Sequence, residues 1–271
     1  MDSRGPLPDP QNAPLLSVIT VVRNGAATIE RTLQSVIAQK TPAIEYLVLD
    51  GASTDETLHH IKHYANDIDY WHSKPDAGIA AAFNAGLELA RGQYLSFLNA
   101  DDWYAPGALS TVQAVLQEDP SIKWLCGAIN YSDPWSDFQR VELAEPKNLS
   151  RYMSVYHPSM VIERATHQRV GLYNENLDYA MDSEWTHRAL KSGVSPKILP
   201  TVIANMTLGG TSNQHLARAL AEYRTSVLAN ELCGPAKANY YFVRQWLVHT
   251  ALKSGWVRAL LKSRAPGGSN S

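Results

Sequence analysis

Tyr94-Leu95-Ser96-Phe97-Leu98-Asn99-Ala100-Asp101-Asp102 passes from an apolar run of strand character into a polar cap with two adjacent carboxylates. Carboxylates are costly to bury, so a pair at the end of a core strand needs a partner. A divalent cation with a phosphate suits hard oxygen ligands of this kind. The plainer reading is an Asp helix cap followed by a solvated turn residue. From these residues alone the two readings weigh about equally.

The flanking sequence alternates. Residues 16–22 form a near-continuously apolar run, as in a strand covered on both faces. Residues 26–39 have helical spacing, with Ile29, Leu33, Val36 and Ile37 on one face. A second buried strand, 44–49, ends at Asp50, and Ser53 or Thr54 is placed to cap a helix running to about residue 64. A short strand over 68–72, a helix over 79–90 stopped by Gly92, the strand 94–98, a helix over 108–117 and a strand over 124–129 follow. Strands alternating with helices of this length predict an α/β fold, a mostly parallel Rossmann-like sheet flanked by helices. Ligands in such sheets bind at the carboxyl ends of the strands. Those ends carry Arg23-Asn24, Asp50-Gly51, Lys74-Pro75-Asp76-Ala77-Gly78 and 99–102, four polar clusters on one edge. That convergence raises the carboxylate pair above its plainer reading.

The alternation stops near residue 130. Residues 131–157 read as irregular or antiparallel, 159–163 as a strand, 182–191 as a helix, and 214–232 and 237–264 as helical. Residues 1–14, rich in Pro, Asp and Asn without an apolar core, read as a disordered leader and carry no signal-peptide pattern.

The chain of 271 residues is 45% hydrophobic, enough for a large core, and its net charge of −2 gives no signature of nucleic-acid binding. Cys126 and Cys233 form no C-x-x-C pair, which argues against a disulfide framework or structural zinc and fits a reducing cytosol. No apolar run approaches the roughly 20 residues needed to span a bilayer. There is no G-x-G-x-x-G after the first strand and no P-loop. Asp50 either accepts the N–H of a uracil- or guanine-like base or organises a turn, and Asp76 has the same two readings. Arg91 either reaches a phosphate or simply favours the C-terminus of the preceding helix.

Several ordered segments resemble the family-2 glycosyltransferases. They are Ser17 through Asn24, residues 28–39, Asp50-Gly51-Ala52-Ser53-Thr54-Asp55-Glu56-Thr57, Pro75-Asp76-Ala77-Gly78-Ile79 with Asn84-Ala85-Gly86 and Ala90-Arg91-Gly92, and Leu98 through Asp102. Later segments are His157-Pro158-Ser159, Gly171-Leu172-Tyr173 and Ala180-Met181-Asp182-Ser183-Glu184-Trp185. The resemblance covers about 15–210. It implies the A-type nucleotide-sugar-binding fold, with a catalytic domain over 15–212, its nucleotide-sugar half over 15–130 and its acceptor half over 131–212, then a helical extension over 213–271.

The resemblance implies an inverting transfer from a nucleotide-diphosphate sugar to a saccharide or lipid-linked acceptor, such as an envelope polysaccharide precursor. It assigns donor contacts to Thr20, Val21, Arg23, Asn24, Asp50, Asp76, Gly78, Asn84, Arg91, Asn99 and Ala100, and Mn²⁺ or Mg²⁺ to Asp101 and Asp102. It makes Asp182 the base, although an Asp opening an amphipathic helix reads from spacing alone as a cap. Glu184 is the alternative base. His157 is placed to touch acceptor or diphosphate, or is structural. Gly209-Gly210-Thr211-Ser212 resembles a donor-side segment, or is a plain turn. Two departures stand out. Asn99 replaces the first Asp of the D-x-D pattern and brings no charge, so Asp101 becomes the principal metal ligand. Ala52 replaces a Ser or Gly, a mild change. The Q-x-x-R-W segment of processive synthases is missing, which favours transfer of a single sugar.

Residues 237–264 hold Lys237, Arg244, Lys253, Arg258, Lys262 and Arg264, no carboxylate, and many aromatic and aliphatic residues. This suits an interfacial helix on an anionic membrane, or equally a helix packed on the body with a solvated basic face. The expectation is a cytoplasmic protein, peripheral on the inner membrane face in the first case. Two other functions compete: a sugar-phosphate nucleotidyltransferase, for which the short Arg23 to Ala27 loop lacks a lysine, and a silent binding protein, suggested by Asn99.

Overall fold

A computed structural model describes residues 13–132, 139–207 and 215–253. The strands are β1 (Leu16–Val22), β2 (Ile44–Asp50), β3 (Tyr70–Ser73), β4 (Tyr94–Phe97), β5 (Trp103–Tyr104), β6 (Trp124–Ser132), β7 (Gln139–Glu142), β8 (Met160–Glu163) and β9 (Lys197–Thr207). The helices are α1 (Ile29–Ile37), α2 (Thr57–His63), α3 (Ile79–Leu89), α4 (Ala108–Glu118), α5 (Arg164–Val170), α6 (Met181–Lys191), α7 (Leu216–Ala229) and α8 (Pro235–Lys253). The sheet order is β3-β2-β1-β4-β8-β6-β9-β5, with β7 beside β6. β3, β2, β1 and β4 are parallel, β8 is antiparallel to both neighbours, and β6 and β9 are again parallel.

The continuous apolar strands are explained by cover on both faces. Val18 and Val22 of β1 and Tyr46 and Val48 of β2 join α1 in one core through Ile29, Leu33 and Val36. The alternate residues Ile19, Val21, Leu47 and Leu49 join Phe83, Trp124 and Trp185 in the other. Gly86 lets α3 approach closely: a Cβ there would stand 2.8 Å from the Ile19 side chain and 3.2 Å from Phe97.

Two expectations about helix starts are corrected. α1 begins at Ile29, because the Gly25 N–H donates to the Thr57 hydroxyl (2.8 Å) and the Ala26 N–H to Asp55 (3.1 Å). α2 begins at Thr57, and neither Ser53 nor Thr54 caps it. The Ser53 hydroxyl donates to Asp50 (2.5 Å), while the Thr54 N–H donates to Asn24 Oδ1 (2.8 Å). This zipped pair of loops holds Ala52 at φ +57°. Relative to a serine the replacement stays mild, but relative to a glycine it does not: a left-handed alanine costs about 1–2 kcal/mol, partly offset by the entropy of a glycine there. Ala52→Gly is predicted to raise stability by about 0.5–1 kcal/mol and Ala52→Val to lower it, by urea unfolding.

The core also holds two neutral histidines. Burial, with Arg164 and Arg188 adding, pushes His167 down to about 3; neither ring nitrogen has a hydrogen-bond partner among the described residues. Burial pushes His187 down to about 4. Both lie below the ordinary value of 6.5, so the unfolded chain takes up protons first as the solution is acidified. Their stabilisation is complete above about pH 6.5 and is lost as pH falls towards 4, by about 1.4 kcal/mol per pH unit for each histidine. His167→Leu should flatten that slope by about one proton in urea melts between pH 6.5 and 4.5; an unchanged slope would remove His167 as a contributor.

Candidate active site

The carboxyl ends of β1, β2, β3 and β4 lie along one edge, so the polar clusters that follow them share it. Asp50, 1% exposed, accepts from the Ser53 N–H (3.1 Å), the Ser53 hydroxyl and the Ser73 hydroxyl (2.6 Å). Its carboxylate is occupied as a turn organiser. Asn24 is likewise committed, donating its N–H to Ser53 (2.7 Å) and accepting from Thr54. Asp76 accepts from the Gly78 N–H (3.0 Å), and a Cβ on Gly51 would fall 2.4 Å from Asp76 Oδ2, so Gly51 makes room for that carboxylate. Arg23 is exposed beside it.

Four expected donor contacts need correction. The Thr20 hydroxyl meets the Tyr46 hydroxyl inside the core (3.0 Å) and Val21 is 6% exposed, so neither presents its side chain to a ligand. Asn84 closes on the backbone of Tyr173, donating to its carbonyl (3.0 Å) and accepting from its N–H (2.9 Å), and also donates to Glu175 (2.8 Å). It clamps α3 to the later half of the chain. Arg91 lies at the opposite edge, paired with the buried Glu45, which also accepts from the Ser17 hydroxyl (2.5 Å) and the Arg91 N–H (2.8 Å). Ser17 opposes Glu45 near the start of β1, so Arg91 cannot share a ligand with residues at the carboxyl ends.

The turn after β4 is fastened from three sides. The single Thr32 O–H is shared between the carbonyls of Ala100 (2.9 Å) and Asp102 (2.7 Å). The Asp101 carbonyl accepts from Arg31 (3.3 Å) and from the Thr207 hydroxyl (2.9 Å). The Arg31 guanidinium lies 3.5 Å from the centroid of Trp103. Sequence reading missed Arg31, Thr32 and Thr207. The helical spacing of α1 was visible, but which of its polar residues meets the turn was not.

Asp101 is partly exposed, whereas Asp102 is 3% exposed. Burial, reinforced by Asp101 and opposed by His157, pushes the Asp102 carboxyl up to about 8. Asn99 Oδ1 is buried and has no hydrogen-bond partner among the described residues. No three His, Cys, Asp or Glu side chains of the described residues converge to cage an ion by themselves. The Asp101 carboxylate, the Asp102 carboxyl that a bound cation would hold ionised, and the Asn99 amide oxygen nevertheless fit a hard cation that takes its remaining ligands from substrate phosphates and water.

Asp182 faces the same region. Its Oδ1 accepts from the Ser183 N–H (2.7 Å), and its Oδ2 lies 3.6 Å from His157 Nδ1. His157 Nε2 lies 3.8 Å from Asp102 Oδ2. Burial would raise the Asp182 carboxyl, but the nearby His157 and its charge, with the hydrogen bonds from Ser183, outweigh it and hold the group below the usual range. Asp182 is therefore ionised at neutral pH. It is not the helix cap either: Ala180 is the N-cap of α6, and Glu222 of α7 accepts from the N–H groups of Tyr179 (2.9 Å) and Ala180 (3.1 Å). Glu184 is bound to Arg188 through both its oxygens (2.7 and 2.9 Å), which removes it as an alternative base. Gly209 to Ser212 lie outside the described residues.

A family model described as Glycosyl transferase family 2 matches residues 17–169. The uncharacterized glycosyltransferase MT1564 of Mycobacterium tuberculosis is 31% identical over 186 residues, covering 66% of this chain and 70% of that protein. Hyaluronan synthase of Pasteurella multocida is 26% identical over 84% of this chain, which spans 24% of that protein. Two solved structures share the fold. S. aureus TarS 1–349 in complex with UDP has a TM-score of 0.64 at 19% identity, covering 88% of this chain and 75% of that one. The mannosyltransferase PcManGT from Pyrobaculum calidifontis, in complex with GDP-Man and Mn²⁺, has a TM-score of 0.59 at 21% identity, covering 95% and 81%. With the α/β sheet, the match over more than half its length places this chain in glycosyltransferase family 2.

Proposed function

We propose that this glycosyltransferase moves one sugar, with inversion, from a nucleoside-diphosphate sugar to a hydroxyl of a saccharide or lipid-linked acceptor in envelope polysaccharide synthesis. The observation that carries the reading is the meeting of the Asp101-Asp102 turn with the ionised Asp182 across one imidazole. The nucleotide complexes of TarS and PcManGT, which share the fold, support a nucleotide-sugar donor. Family membership favours sugar transfer over nucleotidyl transfer and over a silent binding role.

The acceptor hydroxyl attacks the anomeric carbon from the face opposite the departing diphosphate, and its proton passes to a carboxylate oxygen of Asp182. Asp101 would hold a divalent cation, with the Asn99 oxygen, which has no partner among the described residues, on a ribose hydroxyl or a water of the metal shell. Bound Mn²⁺ or Mg²⁺ would supply Lewis-acid neutralisation of the diphosphate. Arg31, Thr32 and Thr207 keep the carbonyls of that turn fixed, so its carboxylates need little reorganisation. Arg23, Asp76 and Gly78 remain at the donor edge.

The acceptor reading extends to a membrane surface. α8 packs against α7 through Ala238, Tyr241 and Phe242, which line a shared cavity with Leu220, Tyr223 and Val227. Its outer face exposes Tyr240 (62%), Val243 (50%), Trp246 (43%) and Leu247 (54%) beside the exposed cations Lys237 and Arg244. No helix of the described residues is long and apolar enough to cross a membrane, so this face suits lying in an anionic interface. Residues 254–264 of the basic stretch lie outside the described residues.

Asp182→Asn should leave nucleotide-sugar binding intact and lower transfer by about 10²–10⁴-fold, read by donor calorimetry and product formation with Mn²⁺. Near-normal transfer would place the base elsewhere. On vesicles containing phosphatidylglycerol, Val243→Ser with Leu247→Ser should weaken co-sedimentation by about tenfold. Equal sedimentation of the variant would dismiss the membrane face.

A further inference from the structure

We propose that His157 is a two-ended positioning residue for sugar transfer: one ring nitrogen orients the Asp182 base and the other orients the Asp102 side of the metal turn. The inference rests on the functional reading above.

The geometry is specific. His157 opens the single turn His157–Ser159, immediately before Pro158 and β8. That turn is anchored below the site. The Ser159 N–H donates to the Tyr156 carbonyl (2.9 Å), and the buried Ser159 hydroxyl lies 2.9 Å from the carbonyls of both Gly127 and Tyr156. The imidazole meets Phe83 edge-on at 6.2 Å between centroids. Its side chain is 15% exposed, so it has little surface to offer a substrate. Nδ1 lies 3.6 Å from Asp182 Oδ2 and Nε2 lies 3.8 Å from Asp102 Oδ2. Nε2 is buried and makes no hydrogen bond among the described residues. Both separations are slightly longer than a hydrogen bond, as in sites that tighten when substrate binds.

Each nitrogen of this ring faces a carboxyl group and Nε2 is buried, so the ring meets carboxyl groups rather than an acceptor hydroxyl and is not itself the base. It instead fixes the separation of two groups that approach the sugar from opposite sides. Asp182 acts on the acceptor; the turn holding Asp102 acts on the departing diphosphate. A displacement of about 1 Å in either is enough to cost about 10²-fold in rate.

The two ends can be tested separately, because an asparagine amide nitrogen falls near the Nδ1 position and a glutamine amide nitrogen near Nε2. His157→Ala should lower kcat by about 10²-fold and also weaken Mn²⁺-dependent binding of UDP and GDP. His157→Asn should recover most of kcat but leave nucleotide binding weak. His157→Gln should recover Mn²⁺-dependent UDP or GDP binding, measured by calorimetry without turnover, but leave kcat low. A role in packing alone would move kcat, binding and melting temperature together in all three variants, and that outcome would overturn the proposal. So would an alanine variant within twofold of the parent in both measurements. A parent inert with every nucleotide sugar would overturn the underlying reading itself. An active parent with indifferent His157 variants would overturn only this one.

Discussion

The cost of burying the Asp102 carboxyl governs this site. A carboxyl that is 3% exposed and adjacent to a second acidic residue is stable only if its surroundings are built for it. Those surroundings come from distant parts of the chain. α1 supplies Arg31 and Thr32, β9 supplies Thr207, and the turn before β8 supplies His157. Each fastens the backbone of the turn or faces its carboxylate. Once these segments are required to meet the end of β4, the switch from parallel pairing to β8 follows. β8 runs antiparallel beside β4, so the turn preceding it lies at the end of β4 from which Asp101 and Asp102 emerge.

The first half of this arrangement was legible in sequence because strands covered on both faces leave near-continuous apolar runs, and amphipathic helices leave a period of 3.6. The edge that gathers the strand-end polar clusters was legible for the same reason. Individual side chains were less so. Arg91 was read as a phosphate contact, yet a helix that returns between parallel strands ends at the edge opposite the ligand. A residue between α3 and β4 is therefore carried away from the site by the topology itself. Arg31, in the first turn of the helix that leaves β1, stays near the carboxyl edge of the sheet. The arginine pattern was visible in both cases; only the direction of the chain separates them.

Polar residues at the ligand edge were the hardest to assign, because the same chemistry that binds a ligand also ties loops together. Asp50, Asn24, Ser53 and Thr54 have the residue types of a nucleotide site and spend most of their hydrogen bonds on one another. This network holds Ala52 in a left-handed conformation, against the preference of any residue with a Cβ. The turn keeps its shape because several hydrogen bonds overdetermine it, which is how a ligand-facing loop stays rigid without a ligand.

Asp182 and Glu184 show how two neighbouring carboxylates acquire different work. They stand two residues apart on α6, so they point to different sides of the helix. Glu184 meets Arg188 one turn on, in a pair that also ties α6 to the carbonyls of Val170 and Leu172. Asp182, facing inward, meets an imidazole backed by a second carboxyl. Spacing alone favours a cap at this position, but the N-cap residue is Ala180, and Glu222 of α7 takes the N–H groups of Tyr179 and Ala180 just ahead of the first turn. Standing second in the helix rather than at its cap, the Asp182 carboxylate accepts from the Ser183 N–H and is left partly exposed, ionised and facing His157.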